Sequence, residues 1–289
     1  MKDTMRKIRL FIIKVFCKYP IIKNNRIQAG FLYWVAFGKR CDFKNPRTFN
    51  EFITVQKNDP KLEAYSQFTD KYEVRKYVEE NSEAHLNRIY GVWTNSAAID
   101  YSQLPESFVL KCTHGSGYNV LVKDKSKLDI KLTNKKINEW LAINYYTVGR
   151  ELNYKKITPR IICEEFLEEL DNQCPELKVF CFNGIPKFIQ VNFWRSGVRY
   201  SNLYTNKWEY IPVRYGYDND TSYNFTADKA KVLKIAMQLS APFDFVRVDL
   251  YFIRGEVYFS ELTFGPGSGL VPFEPPIFDI EFGKYFIED

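Results

Sequence analysis

The sequence predicts an α+β protein in which β-strands predominate. Several apolar and aromatic runs have the length and alternation of strands, and fewer stretches have helical spacing. The chain has 289 residues, of which 45% are hydrophobic and 17% aromatic, so it can bury one large core or two ordinary ones. Its charged fraction of 26% is ordinary, and long disordered segments are therefore not expected.

Residues 1–55 are predicted to be helical and basic. Residues 1–50 contain twelve Lys and Arg against Asp3 and Asp42, a net charge of +10, whereas the whole chain carries +6. Segment 5–18 mixes these charges with apolar residues. It could lie as an amphipathic helix on the anionic inner face of a membrane, or pack on the core with solvated lysines. Nucleic-acid binding is not expected, because the basicity is confined to one end and no recognition motif accompanies it.

Cysteine and histidine usage indicates a cytoplasmic protein without a zinc site. Six cysteines are scattered without a C-x-x-C pair, and there are only two histidines. The longest apolar runs are too short to span a bilayer, and no signal-peptide cleavage site is evident. We therefore expect reduced thiols and a cytoplasmic location.

Three helices are predicted after the basic region. The first covers 69–80 with Thr69 as its N-cap, and the second covers 132–146 with Thr133 or Asn134 as its cap. The third, 229–241, leads into the last hairpin.

The remaining ordered stretches are predicted strands. Asn183-Gly184 between two alternating runs is a strong hairpin signal. The predicted strands are 86–93, two strands within 107–124 around a glycine loop, 160–168, 177–184, 186–194 and two strands within 245–263.

The loop THGSGYN at 113–119 is the first candidate binding element. It matches neither the P-loop nor the dinucleotide-binding fingerprint. The backbone N–H groups of a glycine-rich hairpin tip can still hold phosphate oxygens, and Lys111 on the incoming strand would add a positive charge. The alternative is an ordinary turn.

The last hairpin is apolar except for Arg247, Asp249 and Glu261. Two carboxylates together with substrate phosphates suit Mg²⁺. A two-residue turn at Arg254-Gly255 in regular register would put Asp249 and Glu261 on opposite faces. A three-residue turn with a bulge would place Arg247 opposite Glu261 and all three charges on one face. The metal hypothesis therefore requires the bulged three-residue turn. The alternative is an Arg247–Glu261 ion pair with a solvated Asp249.

Two further stretches carry candidate site residues. The glycine run 265–269 exposes backbone N–H groups that could bind an anionic substrate or a developing oxyanion, unless it is only a flexible loop. Within 163–180, the backbone beyond Glu164 could pair with an adenine edge, Glu176 could accept hydrogen bonds from a ribose and Lys178 could reach phosphate. By composition alone, most of these glutamates would be solvated.

Taken in order, these stretches resemble an ATP-grasp enzyme, and more narrowly the TupA-like ATP-grasp family of bacterial polysaccharide gene clusters. The resemblance covers the chain from about residue 40 to its end. It rests on D-K-x-x-x-R (70–75), the strand with Lys111, the glycine hairpin, E-E-F-L (164–167), E-x-K (176–178), R-V-D (247–249) and E-L-T-F-G-P-G-S-G (261–269).

The resemblance implies a nucleotide between two α+β lobes, preceded by the basic helical region. The implied division is 1–55 for that region, 56–105 for a segment before the ATP-grasp fold, 106–160 for the small lobe, and 161–289 for the large lobe with the metal site.

The resemblance also implies a role for each site residue, with ATP and Mg²⁺ as cofactors. Many ATP-grasp enzymes have asparagine where this chain has Thr263, a poorer ligand, which puts a second metal ion in doubt. The implied phosphate contacts are Lys71, Lys111, Lys178, His114, Gly115, Ser116 and Gly117, the adenine contacts are Glu164, Glu165, Phe166 and Leu167, and the ribose contact is Glu176. The implied metal ligands are Asp249, Glu261 and Thr263, and the implied catalytic residues are Arg247, Lys178, Gly267 and Ser268. Arg247 would contact the γ-phosphate or the acyl-phosphate.

The implied reaction is ATP- and Mg²⁺-dependent joining of a carboxylate and an amine through an acyl-phosphate. The setting would be capsule, O-antigen or other cell-envelope polysaccharide synthesis, with an amino acid and a uronic acid as substrates and a small or lipid-linked saccharide as partner. A glycosyltransferase-type enzyme reusing the fold is the alternative, since fold does not fix reaction. A non-enzymatic assembly factor at the membrane is a third.

Overall fold

The computed structural model describes residues 2–19, 21–171 and 174–288. The helices are α1 Lys2–Lys18, α2 Asn25–Phe37, α3 Phe49–Gln56, α4 Ser66–Thr69, α5 Val74–Asn81, α6 Ile130–Leu141, α7 Glu168–Asp171, α8 Lys229–Ser240 and α9 Ile277–Lys284. The strands are β1 Ile89–Trp93, β2 Phe108–Cys112, β3 Asn119–Val122, β4 Ile161–Glu165, β5 Glu176–Phe182, β6 Ile185–Arg195, β7 Val198–Thr205, β8 Tyr210–Ile211, β9 Arg214–Tyr215, β10 Phe245–Ile253, β11 Glu256–Thr263 and β12 Phe273–Glu274. The α+β class and the helical N-terminal region are confirmed. The predicted predominance of strands was wrong, because the helical N-terminal region and many short helical turns bring the helical share to 38%, against 25% in strands.

All strand pairs in the three sheets are antiparallel. The largest sheet has six strands in the order β11-β10-β5-β6-β7-β8, the second has the order β1-β4-β2-β3, and β12 pairs with β9. The predicted hairpin at Asn183-Gly184 joins β5 to β6, with φ of +47° and +75° at its two residues. That pair of left-handed residues matches the twist of the flanking strands.

The two faces of the six-stranded sheet differ in character. One face is apolar along its length and packs on α8, whose Val232, Ile235 and Leu239 recur at helical spacing and are fully buried. On the other face, β5 and β10 carry aromatic residues at one end, such as Phe182 and Phe245, and charged residues at the other. Because side chains alternate along a strand, this second face collects Glu176, Lys178, Arg247 and Asp249 in one place.

Phe49 joins the N-terminal region to the aromatic end of this face. Its ring is fully buried, with centroids 5.5–6.5 Å from those of six other aromatic side chains. Helices α3 and α9 meet closely here: the carboxylate of Asp279 accepts 2.9 Å hydrogen bonds from both the backbone and side-chain nitrogens of Asn50. A Cβ on Gly283 would lie 2.4 Å from the Arg47 carbonyl oxygen, so this contact requires glycine.

The four-stranded sheet packs on α6 through Phe108, Leu110 and Ile137. Strands β1 and β4 lie outside the predicted small-lobe range of 106–160, yet both belong to this sheet. The sheet therefore includes one strand that precedes residue 106 and one that follows residue 160.

Two predicted helix caps were wrong. Helix α6 begins after Asp129, whose Oδ1 accepts the N–H of Leu132 at 2.8 Å, because this aspartate precedes Thr133 and satisfies the helix end first. Thr69 closes the short α4 and donates its hydroxyl to the Tyr65 carbonyl, so α5 starts later, at Val74.

Helices α1 and α2 form a small cluster of their own. Phe16 of α1 packs on Phe31 of α2 with ring centroids 4.7 Å apart. Leu10 and Phe11 on α1 remain 56% and 68% exposed, so this helix is docked along only part of its surface. Within the described ranges, none of the helices combines the length and apolar character needed to cross a bilayer.

Candidate active site

A cavity of about 340 Å³ lies between the four-stranded sheet and the charged end of the six-stranded sheet. It is lined by five cationic and four carboxylate side chains, and is therefore suited to a polyanion accompanied by a cation. The sequence-predicted residues that it brings together are Lys71, Lys111, Ser116, Gly117, Glu164, Glu176, Lys178, Asp249 and Glu261.

The register of β10 and β11 places Asp249 directly opposite Glu261. The turn is the two-residue Arg254-Gly255, with φ of +53° and +82°, so the predicted three-residue turn was wrong. The required bulge exists elsewhere: Leu250 pairs with Phe259 and Asp249 with Glu261, which leaves Ser260 as the extra residue. The bulge reverses the alternation, so the two carboxylates share a face although the turn is tight.

Asp249 is buried and held by two cations. Its carboxylate oxygens accept from Arg247 at 2.6 and 2.7 Å, and Oδ2 also accepts from Lys178 at 2.6 Å. Burial raises the pKa of Asp249, but Arg247 and Lys178 outweigh burial, and the pKa falls below its ordinary value. Of the alternative, the ion pair exists, since Arg247 lies 3.6 Å from Glu261. The solvated Asp249 was wrong, because its side chain is buried against Arg247 and Lys178.

Arg247 and Thr263 stand behind the carboxylates rather than at the cavity wall. Arg247 lies opposite Thr263, not opposite Glu261, and donates to its Oγ1 at 3.1 Å. Thr263 in turn donates to Glu261 at 3.0 Å. Neither residue lines the cavity, so the predicted contact of Arg247 with phosphate and the predicted ligand role of Thr263 are not seen in this arrangement.

Glu164 forms a second charged group on the opposite wall. Its carboxylate is buried, accepts from Lys111 at 2.6 Å and lies 3.5 Å from Arg75. Arg75 also donates to the Asn87 carbonyl at 2.7 Å, which fixes the guanidinium. The side chain of Glu164 therefore orients the cation predicted to meet phosphate.

Glu176 forms a third group with Arg199. Its Oε2 makes a short ion pair with Arg199 and lies 3.6 Å from Lys178, and Tyr251 donates to its Oε1 at 3.4 Å. The guanidinium of Arg199 lies 4.5 Å from the ring centre of Trp194. Lys178 thus stands between the carboxylates of Glu176 and Asp249, which keeps it extended over the strand.

The glycine loop forms the rim of the cavity on the four-stranded sheet. Ser116 and Gly117 line it, and Gly117 adopts a left-handed φ of +74°. A Cβ on Gly115 would lie within 2.8 Å of the rings of Tyr118 and Tyr145, so a side chain would displace the loop. The Gly115 carbonyl accepts a hydrogen bond from the Lys71 ammonium at 2.6 Å, and this bond directs the lysine side chain toward the rim.

Burial and neighbouring charges shift the pKa of Lys71. Burial lowers its pKa, the charge of Glu261 opposes that shift, and the nearby charge of Lys111 adds to it. A bound polyanion would relieve the repulsion between the two lysines.

His114 was expected to meet phosphate, but its ring is buried and faces away from the cavity. Its Nε2 donates to the Trp140 carbonyl at 3.0 Å, and Nδ1 has no partner among the described residues. Burial lowers the pKa of this imidazole. In this structure it ties the loop to α6 and so fixes the turn.

The predicted adenine segment lies next to the cavity without lining it. Glu165, Phe166 and Leu167 follow Glu164 at the end of β4, and the wall resumes at Leu170. The backbone N–H of Glu165 donates to the Arg88 carbonyl at 2.8 Å. That N–H is therefore engaged in the protein.

The glycine run 265–269 lies away from the cavity, and its predicted oxyanion role is not seen in this arrangement. The N–H of Ser268 already donates to the Gly265 carbonyl at 2.8 Å. Gly267 and Ser268 both have a left-handed φ of +57°, and a Cβ on Gly267 would lie 2.5 Å from Val271. The run is a compact turn, neither an open anion cradle nor a flexible loop.

Buried Lys57 fixes this turn from the N-terminal region. Its ammonium donates to the Ser268 carbonyl at 3.0 Å and to the Ser268 hydroxyl at 3.2 Å. Glu151 lies beside the turn, 3.1 Å from where a Cβ on Gly265 would stand. Burial lowers the pKa of Lys57 and raises that of Glu151, and each charge opposes the shift of the other.

The donor set fits a magnesium ion shared with phosphate. Asp249 and Glu261 offer carboxylate oxygens on one face, and Glu261 is partly exposed to the cavity. No group of three or more His, Cys, Asp or Glu placed to hold a metal occurs in residues 2–19, 21–171 and 174–288. Phosphate and water oxygens would have to complete the coordination, as Mg²⁺ prefers, and Asp249 would share its charge with Arg247 and Lys178.

Sequence reasoning missed several wall residues. Arg75 belongs to the quoted D-K-x-x-x-R stretch, but the motif alone did not show that it faces the site. Arg199 could have been found from strand parity, because β7 sets it on the same face as Asn192 and Glu176. Tyr251, two residues beyond Asp249, follows from the same rule.

Solved structures of ATP-grasp proteins are similar to this chain at low sequence identity. D-alanine–D-alanine ligase from Bacillus anthracis in complex with ATP has 15% identity and a TM-score of 0.44, with 69% of this chain and 56% of that chain covered. The corresponding enzyme from Helicobacter pylori has 12% identity and a TM-score of 0.43, with 76% and 57% covered. The ATP-grasp ligase PsnB with its minimal precursor, Mg and ADP has 9% identity and a TM-score of 0.39, with 70% and 52% covered. The chain thus spans little more than half the length of these proteins.

No match was found among curated protein sequences. The family description "TupA-like ATPgrasp" matches residues 51–287, which include the two sheets that border the cavity and every residue that lines it. The chain therefore belongs to the TupA-like ATP-grasp family and is classed as an ATP-grasp enzyme.

Proposed function

We propose that the protein is an ATP- and Mg²⁺-dependent ligase that joins a carboxylate to an amine. The observation that carries the proposal is the cavity in which Lys71 and Lys111 face the carboxylate pair Asp249–Glu261. Cations opposite a pair of metal-binding carboxylates are the groups that a nucleotide triphosphate with its metal ion requires.

Each wall of the cavity would contact a different part of the nucleotide or its metal ion. Lys71, Lys111 and the rim at Ser116–Gly117 would bind phosphate oxygens, and Asp249 with Glu261 would hold the metal ion. Glu176 would accept from the ribose, and the segment 165–167 would lie along the adenine. The four-stranded sheet would form the core of the small lobe, which would then extend beyond the implied range of 106–160 to include β1 and β4.

The reaction would proceed in two steps, phosphoryl transfer to the carboxylate and then attack by the amine. A substrate carboxylate oxygen attacks the γ-phosphorus of ATP, the bond to ADP breaks, and an acyl-phosphate forms. The amine then attacks the acyl carbon, a proton leaves the nitrogen, and inorganic phosphate departs. Mg²⁺, when bound, would offset negative charge on the transferred phosphoryl group.

No side-chain nucleophile is needed for these steps. Cys112 and Cys163, the thiols nearest the cavity walls in sequence, are buried in the small-sheet core. Burial raises the pKa of each thiol to about 12, so neither is a thiolate at neutral pH.

The family resemblance supports a setting in capsule, O-antigen or other cell-envelope polysaccharide synthesis in the cytoplasm. An amino acid and a uronic acid would supply amine and carboxylate, on a small or lipid-linked saccharide. The test is ADP release that requires both an acid and an amine acceptor.

Replacing Lys111 with methionine is expected to weaken Mg²⁺-ATP binding at least tenfold. The variant loses one charged hydrogen-bond donor to phosphate, worth about 1.5–3 kcal/mol. The measurement is the rise in melting temperature with Mg²⁺-ATP, which follows binding by mass action. Lys127→Met, at a side chain that is 82% exposed, is the matched control and should keep the wild-type rise. Stabilisation by a UDP-sugar but not by Mg²⁺-ATP would move the assignment to glycosyl transfer.

Segment 5–18 supports a further proposal, peripheral contact with an anionic membrane. Exposed Leu10 and Phe11 lie on the helix that carries Lys7, Arg9 and Lys14, so an apolar surface is flanked by positive charge. Leu10→Ser with Phe11→Ser is expected to reduce co-sedimentation with phosphatidylglycerol vesicles at least tenfold, since each apolar side chain contributes about 1.5–3 kcal/mol on burial. Met237→Ser removes an equally exposed apolar side chain from α8 and should change nothing. Equal binding to phosphatidylcholine vesicles would contradict the electrostatic part of this proposal.

A further inference from the structure

A second cavity, of about 730 Å³, lies between the start of α2 and the segment that follows α6. It shares no lining residue with the candidate active site. We call it the Arg150 pocket, and the residues that matter below are Lys23, Asn25, Arg26, Asn58, Tyr146 and Arg150.

The Arg150 pocket carries an excess of positive charge. Within the ranges that the structure describes, Lys23, Arg26 and Arg150 have no carboxylate oxygen within the 4.0 Å ion-pair distance. Asp59 is the acid on this wall, and its Oδ1 already accepts the backbone N–H of Lys61 at 3.0 Å. Three cations against this one carboxylate leave the concave surface with a net positive charge, which favours an anionic occupant.

Arg150 is held in place on one side of its guanidinium only. Its Nη1 donates to the Lys23 carbonyl at 3.0 Å and to Oδ1 of Asn25 at 2.9 Å. Asn25 is fixed in turn, because its amide donates to the Tyr146 hydroxyl at 2.6 Å. The arginine therefore points into the pocket before any ligand arrives.

The other edge of the same guanidinium has no acceptor. Neither Nε nor Nη2 donates to a residue in the described part of the chain, and Nε is buried without a partner. An N–H that is shielded from water and unpaired is costly, and a carboxylate or phosphate is the group whose charge and geometry compensate it.

The neutral groups of the pocket suit hydroxyls. Asn25, Asn58 and Tyr146 present amide and phenol groups that are partly engaged already, Asn58 with the Thr54 carbonyl at 2.9 Å. Their remaining donor and acceptor positions can meet an alcohol. The pocket also lies at the N-terminus of the 13-residue α2, whose dipole adds to the attraction for an anion.

We propose that the Arg150 pocket binds an anionic saccharide, that is, a sugar bearing a phosphate or carboxylate. The anionic group would lie against Arg150 and Lys23, and the hydroxyls would contact the amides. The inference rests on the proposed function only for the choice of a sugar, because the charge argument is independent of the ligase reaction.

The test is calorimetric titration of the full-length protein with glucose 1-phosphate, glucuronate, glucose and inorganic phosphate. We expect one of the two charged sugars to bind, glucose not to bind, and Arg150→Gln to weaken binding at least tenfold. Arg40→Gln, which removes the same charge from an exposed position on the same region, should bind as the wild type does. The Mg²⁺-ATP stabilisation should persist in Arg150→Gln, which shows that this variant folds and that its active site is intact.

Three outcomes would overturn the proposal. No charged sugar binds, or Arg150→Gln binds it unchanged, or inorganic phosphate binds as tightly as glucose 1-phosphate, which leaves an anion site without saccharide recognition. A fourth arm uses phosphatidylglycerol vesicles: binding that Arg150→Gln abolishes, without any response to the sugars, would assign the pocket to a lipid headgroup instead. A failed Mg²⁺-ATP response of the wild type would refute the proposed function and leave these sugar results valid.

Discussion

Asp249→Asn is expected to lose Mg²⁺-ATP stabilisation completely and to lower the free energy of unfolding by about 3–5 kcal/mol. The substitution removes one negative charge and leaves Arg247 and Lys178 facing each other without their shared carboxylate. An uncompensated buried charge costs far more than a surface ion pair returns. Denaturant unfolding, with and without Mg²⁺-ATP, measures both effects on one sample.

Asp244→Asn is the matched control for this experiment. Asp244 also pairs with a lysine, Lys61, at 2.5 Å, but its side chain is 74% exposed. The same substitution there should cost less than about 1 kcal/mol and leave the ligand response intact. A similar loss in both variants would mean that the charge cluster around Asp249 is no more important than a surface pair.

The pH dependence gives an independent check on the charge state of Asp249. Its pKa in the folded protein is below the ordinary value, so its stabilising contribution is present above the unfolded pKa of about 3.9. That contribution is lost as the pH falls through the folded pKa. The stability gap between wild type and Asp249→Asn should therefore be constant at neutral pH and shrink below about pH 4. A gap that stays constant down to pH 2 would argue against an ionised Asp249.

The carboxylate pair shows how much the alternation of side chains along a strand can predict from the sequence. Charges on an apolar hairpin indicated a site, and parity showed that Asp249 and Glu261 share a face only if one residue is extra. The position of that residue could not be read from the sequence. Arg254-Gly255 favours a tight left-handed turn, and the bulge at Ser260 depends on how β11 packs at the edge of the sheet.

Residues whose roles depend on tertiary contacts were the least predictable. His114 lies in the glycine loop that was expected to bind phosphate. The orientation of its ring is instead set by a backbone carbonyl of α6, 26 residues later in the sequence. The glycine run 265–269 looks like an anion cradle in isolation. Its N–H at Ser268 is satisfied locally, and Lys57 from the N-terminal region holds its carbonyl. Local glycine content therefore predicts a tight turn, but not what the turn faces.

The largest expected effect on the fold alone comes from Phe49→Ala. Phe49 is fully buried, and truncation of a large core aromatic costs about 3–5 kcal/mol of unfolding free energy. Among its neighbours, Phe180 and Phe245 lie on β5 and β10, each two residues from a charged residue of the site, Lys178 and Arg247. We therefore expect this variant also to bind Mg²⁺-ATP less tightly, although Phe49 does not line the cavity.

Phe52→Ala separates this effect from a general loss of aromatic packing. Phe52 lies on the same helix but is only partly buried, and it stacks on one ring, that of Phe286, at 4.5 Å. Its truncation should cost clearly less stability and leave Mg²⁺-ATP binding unchanged, as measured by denaturant unfolding and thermal shift. Equal losses in the two variants would contradict a central role for Phe49. The expected difference would instead show that a residue before the family-matched range supports the strands that carry the candidate site. Helix α3 fills the aromatic end of the face whose other end is proposed to bind Mg²⁺-ATP.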